Sequence, residues 1–154
     1  MSDGLLDGGT ITTIEYDPDT VKIARNNRER AGLSNTITVV EGDAKDYLSY
    51  LDEDESYDMI FLDGPKAHYL FMLDDAVRLL RKGGLLVSDN ILFKGMTADD
   101  GHFARRKVTI ISRLREYIDT LMKHPQLETS ILSQGDGVTL SIKTVSDKER
   151  FKTD

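Results

Sequence analysis

Acidic side chains follow two apolar segments of the chain. Asp63 comes directly after the apolar run at residues 59–62, and Asp89 and Asn90 come at the end of a second run at residues 84–88. Runs of this kind are typical of buried parallel strands, and open α/β sheets bind ligands at the carboxyl ends of such strands. Two carboxylates and one amide carbonyl form a hard oxygen donor set suited to Mg²⁺. The sequence therefore predicts a divalent-metal site formed by Asp63, Asp89 and Asn90.

Lys66 is the candidate base beside this site, because it follows Asp63 by three residues. A nearby cation favours the neutral amine, which can accept a proton. We therefore predict that Lys66 takes part in proton transfer. The competing interpretations are a solvated lysine at position 66 and ordinary turn or helix-cap roles for Asp63, Asp89 and Asn90.

The surrounding chain alternates strand-like and helix-like segments and has no internal repeat. The last two strand-like segments flank the turn Gly135-Asp136-Gly137, which predicts an antiparallel hairpin at a sheet edge. The alternation predicts a doubly wound α/β fold with one domain over residues 1–145 and a frayed tail at 146–154. The predicted strands are 10–15, 36–40, 57–62, 85–88, 128–132 and 138–143, and the predicted helices are 18–31, 44–51, 68–80 and 105–123.

Composition limits the class of protein. The chain has 154 residues, no cysteine and a formal net charge of -7. The length suits a single core, and the lack of cysteine excludes disulfides and favours a reducing cytoplasm as the location. The negative charge argues against general affinity for nucleic acid or anionic membrane, but it is compatible with a local basic patch. Neither a membrane span nor a signal peptide is expected.

Four motifs, taken in their order and spacing, resemble those of the class I S-adenosylmethionine-dependent O-methyltransferases of the catechol and caffeoyl-CoA type. They are TIEYDP at residues 13–18, EGDA at 41–44, LDGPK at 62–66 and SDN at 88–90. The resemblance extends over residues 6–143. It implies a Rossmann-like methyltransferase sheet, S-adenosylmethionine as cofactor and a divalent cation such as Mg²⁺. We expect a homodimer as the assembly.

The resemblance also implies which residues contact the cofactor. Glu15 would accept hydrogen bonds from both ribose hydroxyls, and Tyr16 would cover the adenine face. Asp43 and the backbone of Ala44 would contact the adenine, and Asp63 would border the cofactor as well as the metal. The residues alone leave other interpretations open: Glu15 as an acid that begins a loop, Tyr16 as a packing residue and Asp43 as a helix N-cap.

Three further stretches look most like those of the bacterial enzymes that methylate 5-hydroxyuridine at the wobble position of tRNA. They are NILFKG at residues 90–95, RRK at 105–107 and GDG at 135–137. By this resemblance Arg105, Arg106 and Lys107 would contact tRNA phosphates, and the alternative is a solvated helix face. The acceptor is either a tRNA base or a small molecule, because 5-hydroxyuridine and catechols both present two adjacent oxygens to a metal.

The start of the sequence differs from the family. In the family, a strand and a glycine-rich loop that hold the methionine end of the cofactor precede the matching part, and this sequence has neither. Gly8-Gly9 is no substitute, since it leads into the second strand of the family fold. The missing strand is central, so its neighbours should have open edges. The rival function is therefore a noncatalytic nucleotide-binding remnant or a scaffold that dimerises through an open edge.

Overall fold

The computed structural model of the chain describes residues 4–52, 54–98 and 105–145. The chain divides into two compact units, Met1–Tyr50 and Leu51–Asp154. The single domain expected over residues 1–145 stays a prediction, and the expected tail at 146–154 lies outside the described residues. No helix in the described part of the chain has both the length and the apolar character needed to cross a membrane.

The first unit consists of a two-stranded parallel sheet and two α-helices. Its elements are β1 (Ile11–Glu15), α1 (Pro18–Arg30), β2 (Ile37–Glu41) and α2 (Ala44–Tyr50). The pairing of β1 with β2 begins with Ile11 opposite Ile37 and ends with Glu15 opposite Glu41. Because the two strands are parallel and in register, their carboxyl ends lie side by side.

Asp17 determines where α1 begins. Its Oδ1 accepts a hydrogen bond of 2.8 Å from the Thr20 N–H, and this N-cap contact holds the pKa of Asp17 below its usual value. Pro18 follows at the first helical position, where a backbone donor is not needed. The predicted helix at residues 18–31 is confirmed, with its end at Arg30.

The second unit contains a mixed four-stranded sheet with the order β3-β4-β6-β5. β3 and β4 are parallel, whereas β6 is antiparallel to both of its neighbours, as expected for a terminal hairpin. Its elements in chain order are β3 (Tyr57–Leu62), a 3₁₀ turn (Lys66–His68), α3 (Tyr69–Leu79), β4 (Leu80–Asp89), α4 (Arg105–Met122), β5 (Leu127–Leu132) and β6 (Val138–Lys143). The predicted α/β class with a carboxy-terminal hairpin is confirmed.

The start of β4 differs from the prediction. The Lys82-Gly83-Gly84 sequence is typical of a helix end, and it predicted a helix to residue 80 and a strand at 85–88. The helix instead ends at Leu79, because Leu80 has an extended backbone (φ -68°, ψ 134°) and pairs with Tyr57 of β3. β4 is therefore longer than predicted, and this longer strand includes the glycine pair.

β1 and β3 each have one strand as a partner among the described residues. β1 pairs with β2, and β3 pairs with β4, so the other edge of each strand carries no strand within the described ranges. Met59 and Phe61 of β3 are partly exposed, although such side chains are usually buried in a parallel strand. The pairing within the described residues agrees with the open edges expected from the sequence.

Lys143 fixes the end of α3 to the sheet. This lysine of β6 is fully buried, and its Nζ donates hydrogen bonds to the carbonyls of Val77 at 2.8 Å and Leu80 at 2.9 Å. The Glu55 carboxylate lies 3.6 Å away and supplies the opposite charge. These contacts satisfy carbonyls that the end of a helix leaves without intrahelical donors. The helix that follows the candidate site is thus held firmly against the sheet.

Candidate active site

The carboxyl ends of β1 and β2 form one edge of the first unit. The Gly42 N–H donates a hydrogen bond of 3.0 Å to the carbonyl of Glu15, which joins the turns that follow the two strands. Asp43 comes directly after Gly42, so the structure places Glu15 and Asp43 in neighbouring turns at this edge. Strand ends of this kind are where doubly wound sheets bind nucleosides.

The Glu15 and Asp43 carboxylates each accept a backbone hydrogen bond, through one oxygen, within the turn that follows their strand. Glu15 Oε1 accepts a hydrogen bond of 2.9 Å from the Asp17 N–H, and Asp43 Oδ1 accepts one of 2.9 Å from the Lys45 N–H. A carboxylate has two acceptor oxygens, so these bonds orient each side chain without using all of its capacity. Asp43 is the N-cap of α2, as one interpretation predicted, while its contact with adenine stays a prediction.

Tyr16 and Ala44 lie beside these acids in sequence. Tyr16 is 75% exposed, so its ring is accessible in this structure, and its contact with adenine stays a prediction. Ala44 is the first residue of α2, and the N–H groups of a first helical turn have no acceptor within the helix. Both residues could therefore contact a nucleoside at this edge.

The carboxyl ends of β3 and β4 form an edge of the second unit. Leu62 lies opposite Ser88 in the parallel register, so Asp63 and Asp89 are the next residues on neighbouring strands. Asn90 has a left-handed backbone (φ 54°), which asparagine tolerates better than most residues. Its N–H donates a hydrogen bond of 2.7 Å to Asp89 Oδ1. The three predicted metal ligands thus lie on two adjacent strand ends.

These three side chains fit a hard divalent cation by donor type, since all of them offer oxygen. The Asp63 side chain is 56% exposed and is accessible from solvent. Among the described residues, no group of three or more His, Cys, Asp or Glu side chains is arranged to hold a metal ion. The predicted set contains only two acids and depends on Asn90 for its third ligand. The metal site therefore stays a prediction.

Lys66 lies in the 3₁₀ turn after β3, and its side chain returns to the end of that strand. Its Nζ donates hydrogen bonds to Asp63 Oδ1 at 3.2 Å and to the Tyr69 hydroxyl at 2.9 Å. The Lys66 side chain is only 16% exposed. A solvated lysine does not fit this geometry, because the amine is mostly buried and has two fixed partners.

Tyr69 forms a cluster with Lys66 and Asp63, although no sequence motif indicates it. It is the first residue of α3 and is fully buried, and its hydroxyl lies 2.9 Å from the carbonyl of Leu62 and 3.1 Å from that of Asp89. Burial, and then the charge of Asp63, raises the pKa of Tyr69 well above its usual value, so the hydroxyl keeps its proton. The sequence signal that could have indicated Tyr69 is its position three residues after Lys66.

Tyr117 of α4 packs behind the cluster. Its ring meets that of Tyr69 edge to face, with the centroids 5.5 Å apart. Its hydroxyl lies 2.5 Å from Ser88 Oγ on β4, and burial raises the pKa of Tyr117 to about 12. The helix α4 is thereby attached to the strand that carries Asp89.

The turn between β5 and β6 holds the loop that follows Asn90. The Ile91 N–H donates to the carbonyl of Gly137 at 3.0 Å, and the Leu92 N–H donates to the carbonyl of Asp136 at 2.8 Å. Gly137 has a left-handed backbone (φ 78°), and a Cβ at this position would lie 2.8 Å from Leu92 Cδ1. A glycine is therefore required here, so the GDG turn contributes to the position of Asn90.

The predicted phosphate contacts lie at the start of α4. Lys107 is exposed on the first turn of the helix. The side chains of Arg105 and Arg106 lie outside the described residues. Only the position of Lys107 therefore bears on the predicted basic patch, and a phosphate contact by this residue stays a prediction.

Two more basic residues of α4 make contacts within the second unit. The Arg113 guanidinium lies 4.8 Å from the ring centroid of Phe71, and the Arg115 Nε–H donates a hydrogen bond of 3.0 Å to the carbonyl of Thr97. Both residues therefore have an intramolecular role, whether or not the helix also contacts an acceptor.

Sequence comparison matches nearly the whole chain to one family. The sequence model of the O-methyltransferase family matches residues 1–144. A catechol O-methyltransferase from Niastella koreensis is 37% identical over 102 residues, which cover 65% of this chain and 46% of that protein. A caffeoyl-CoA O-methyltransferase from Citrus natsudaidai is 32% identical over 141 residues, which cover 88% of this chain and 61% of that protein.

Structural comparison gives the same result. A crystal structure of the O-methyltransferase from Bacillus cereus in complex with S-adenosylhomocysteine matches this chain with a TM-score of 0.80 and 26% sequence identity. The match covers 92% of this chain and 66% of that one. The chain thus spans from about half to about two thirds of the length of these similar proteins.

Proposed function

We propose a function on the basis of family membership. The comparisons show that this chain belongs to the O-methyltransferase family. On that premise, the chain contributes the reaction site of an S-adenosylmethionine-dependent O-methyltransferase of the catechol and caffeoyl-CoA type. The observation that carries the proposal is the contact of Lys66 with Asp63, beside the end of the strand that bears Asp89. A mostly buried amine beside this carboxylate would be made neutral by a cation bound there and would then remove a proton from a hydroxyl held at the site.

The first unit would bind the nucleoside part of the cofactor. Glu15 has one carboxylate oxygen outside its turn and would accept hydrogen bonds from the ribose, while the exposed ring of Tyr16 would cover the adenine. Asp43 and the N–H of Ala44 would contact the adenine edge. S-adenosylmethionine, when bound, supplies a methyl group on a positively charged sulfur. The complex of the similar Bacillus cereus protein with S-adenosylhomocysteine supports this choice of cofactor.

The second unit would bind Mg²⁺ or another divalent cation through Asp63, Asp89 and Asn90. When bound, such a cation supplies positive charge that favours the ionised form of an acceptor hydroxyl. Asp63 has one oxygen directed to Lys66 and a second oxygen that this contact does not use. The same carboxylate can therefore orient the amine and act as a ligand.

Lys66 would act as the general base in its neutral form. Its Nζ would take the proton of the acceptor hydroxyl, and the acceptor oxygen would form a bond to the methyl carbon as the bond from that carbon to sulfur breaks. The product would be the neutral thioether S-adenosylhomocysteine. The proton on Lys66 passes to water, which restores the neutral amine.

The acceptor would carry a hydroxyl and an adjacent oxygen. The names of the two similar proteins, catechol and caffeoyl-CoA O-methyltransferase, favour a small phenol. The exposed Lys107 at the start of α4 favours the alternative, 5-hydroxyuridine in the anticodon loop of tRNA. A homodimer in a reducing cytoplasm remains the expected state of the protein.

The test of this proposal is transfer of a labelled methyl group from S-adenosylmethionine to a catechol, in Mg²⁺ and in EDTA. The proposal predicts a labelled product in Mg²⁺ and its loss in EDTA. Transfer that is equally fast in EDTA would remove the metal from the mechanism. An absence of both transfer and cofactor binding would support the rival function, a noncatalytic remnant.

A further inference from the structure

The Tyr69 hydroxyl lies at the centre of the candidate site. Three polar atoms surround it: Lys66 Nζ at 2.9 Å, the Leu62 carbonyl at 2.9 Å and the Asp89 carbonyl at 3.1 Å. The Leu62 carbonyl directly precedes Asp63, and the Asp89 carbonyl belongs to the second predicted metal ligand. One hydroxyl thus contacts the candidate base and the ends of both strands that carry the acids.

The donors and acceptors around this hydroxyl are complementary. The Lys66 ammonium can only donate, so the Tyr69 oxygen accepts a hydrogen bond from it. The single O–H hydrogen is then left to the Leu62 and Asp89 carbonyls, which lie at similar distances and share it. Because Tyr69 is fully buried, its own hydroxyl is shielded from solvent.

We infer that Tyr69 is a positioning residue, whose hydroxyl holds the Lys66 amine and joins the ends of β3 and β4. A role of Tyr69 in catalysis rests on the proposed function, whereas its contacts are observed in the structure. Loss of the hydroxyl would leave Lys66 with Asp63 as its hydrogen-bond partner in this cluster, while the ring, whose centroid lies 5.2 Å from Lys66 Nζ, would remain in Tyr69→Phe. It would also remove the O–H donor that the Leu62 and Asp89 carbonyls share. The Lys66 amine, Asp63 and Asp89 would then be held less firmly relative to one another.

Tyr117 provides a matched control for Tyr69. Both tyrosines are fully buried, and each forms one half of the same edge-to-face ring pair. The Tyr117 hydroxyl pairs with Ser88 Oγ and not with Lys66. The variants Tyr69→Phe and Tyr117→Phe therefore remove the same group from the same core, and both are expected to lower the melting temperature. The hydrogen bond to Lys66 is lost only in Tyr69→Phe, so a change at Lys66 should appear only in that variant.

The first experiment does not depend on activity. Acetylation of lysines in this chain is followed by peptide mass spectrometry, with the 72% exposed Lys123 as internal reference. Because a hydrogen bond to a charged group is lost, we expect Lys66 to react about tenfold faster in Tyr69→Phe than in the wild type, and equally fast in Tyr117→Phe. Equal Lys66 rates in the wild type and Tyr69→Phe would overturn the inference.

The second experiment measures Mn²⁺ binding and steady-state kinetics of the same three proteins. Loss of a residue that orients metal ligands typically costs about 10- to 100-fold in metal affinity or turnover. We expect that loss in Tyr69→Phe, with an unchanged KM for S-adenosylmethionine, and a smaller loss in Tyr117→Phe, whose hydroxyl contacts Ser88 and not Lys66. Wild-type Mn²⁺ affinity and kcat in Tyr69→Phe would contradict the inference. If the wild type itself neither bound Mn²⁺ nor transferred methyl groups, the proposed function would fail, and the acetylation rates would still decide the role of Tyr69.

Discussion

The Lys66 ammonium lies 3.2 Å from Asp63 Oδ1, the carboxylate three residues before it in the chain. Lys66 begins the 3₁₀ turn at Lys66–His68, and its side chain returns to the end of β3. The candidate base and one predicted metal ligand are therefore three residues apart and do not depend on a distant loop. This arrangement leads to predictions for each of the two residues and for their neighbours.

Removal of a predicted metal ligand should abolish the dependence on Mg²⁺. Asp89→Ala takes away one of two carboxylates at the strand ends, so we expect Mn²⁺ binding and Mg²⁺-stimulated methyl transfer to be lost, while cofactor affinity stays the same. Glu128→Ala, which removes an exposed acid from β5, serves as the control. Wild-type Mn²⁺ affinity in Asp89→Ala would rule out Asp89 as a ligand.

Removal of the candidate base should slow the chemical step. Lys66→Ala is expected to lower kcat by about 100-fold or more with little change in the KM for the acceptor, because general base catalysis acts in the transition state. Lys123→Ala removes an exposed lysine and is the control. The base assignment fails if Lys66→Ala keeps wild-type turnover from about pH 6 to about pH 9.

Alkaline conditions should destabilise the fold through Tyr117. An unfolded tyrosine has a pKa of about 10, whereas burial raises the pKa of Tyr117 to about 12 in the folded chain. Between these values the unfolded state releases the proton first, so the free energy of unfolding should fall as the pH rises. Below about pH 10 the hydroxyl is protonated in both states, so the stabilisation from the raised pKa of Tyr117 is fully present there. Denaturant unfolding should show a smaller decline in Tyr117→Phe, and identical declines would contradict the prediction.

The basic start of α4 separates the two classes of acceptor. If tRNA is the acceptor, Lys107→Glu should weaken tRNA binding, and the difference from the wild type should shrink as salt is added. Methylation of a small catechol should be unaffected. Lys123→Glu, beyond the other end of the helix, is the control. Equal tRNA affinities of the wild type and Lys107→Glu at every salt concentration would remove this support for a tRNA acceptor.

The sequence predicted the α/β alternation and the positions of the acids because both depend on local pattern. Apolar runs followed by Asp63 and Asp89 indicate strand ends, and parallel strands place their ends together. Tyr69 was not predicted, since its contact with the Asp89 carbonyl depends on the register of β3 with β4. Likewise, the extended backbone of Leu80 results from its pairing with Tyr57, which overrides the local preference for a helix end at Gly83.

The most direct test of the central claim is calorimetric titration of this chain with S-adenosylhomocysteine, with Glu15→Ala and Glu41→Ala as paired variants. Glu41 lies opposite Glu15 in the register and is an exposed acid of the neighbouring strand. Since charge-assisted hydrogen bonds to the ribose are worth about 1.5 to 3 kcal/mol, binding should weaken about 10- to 100-fold in Glu15→Ala and stay unchanged in Glu41→Ala. No binding by the wild type up to millimolar ligand, or equal dissociation constants for the wild type and Glu15→Ala, would contradict the account.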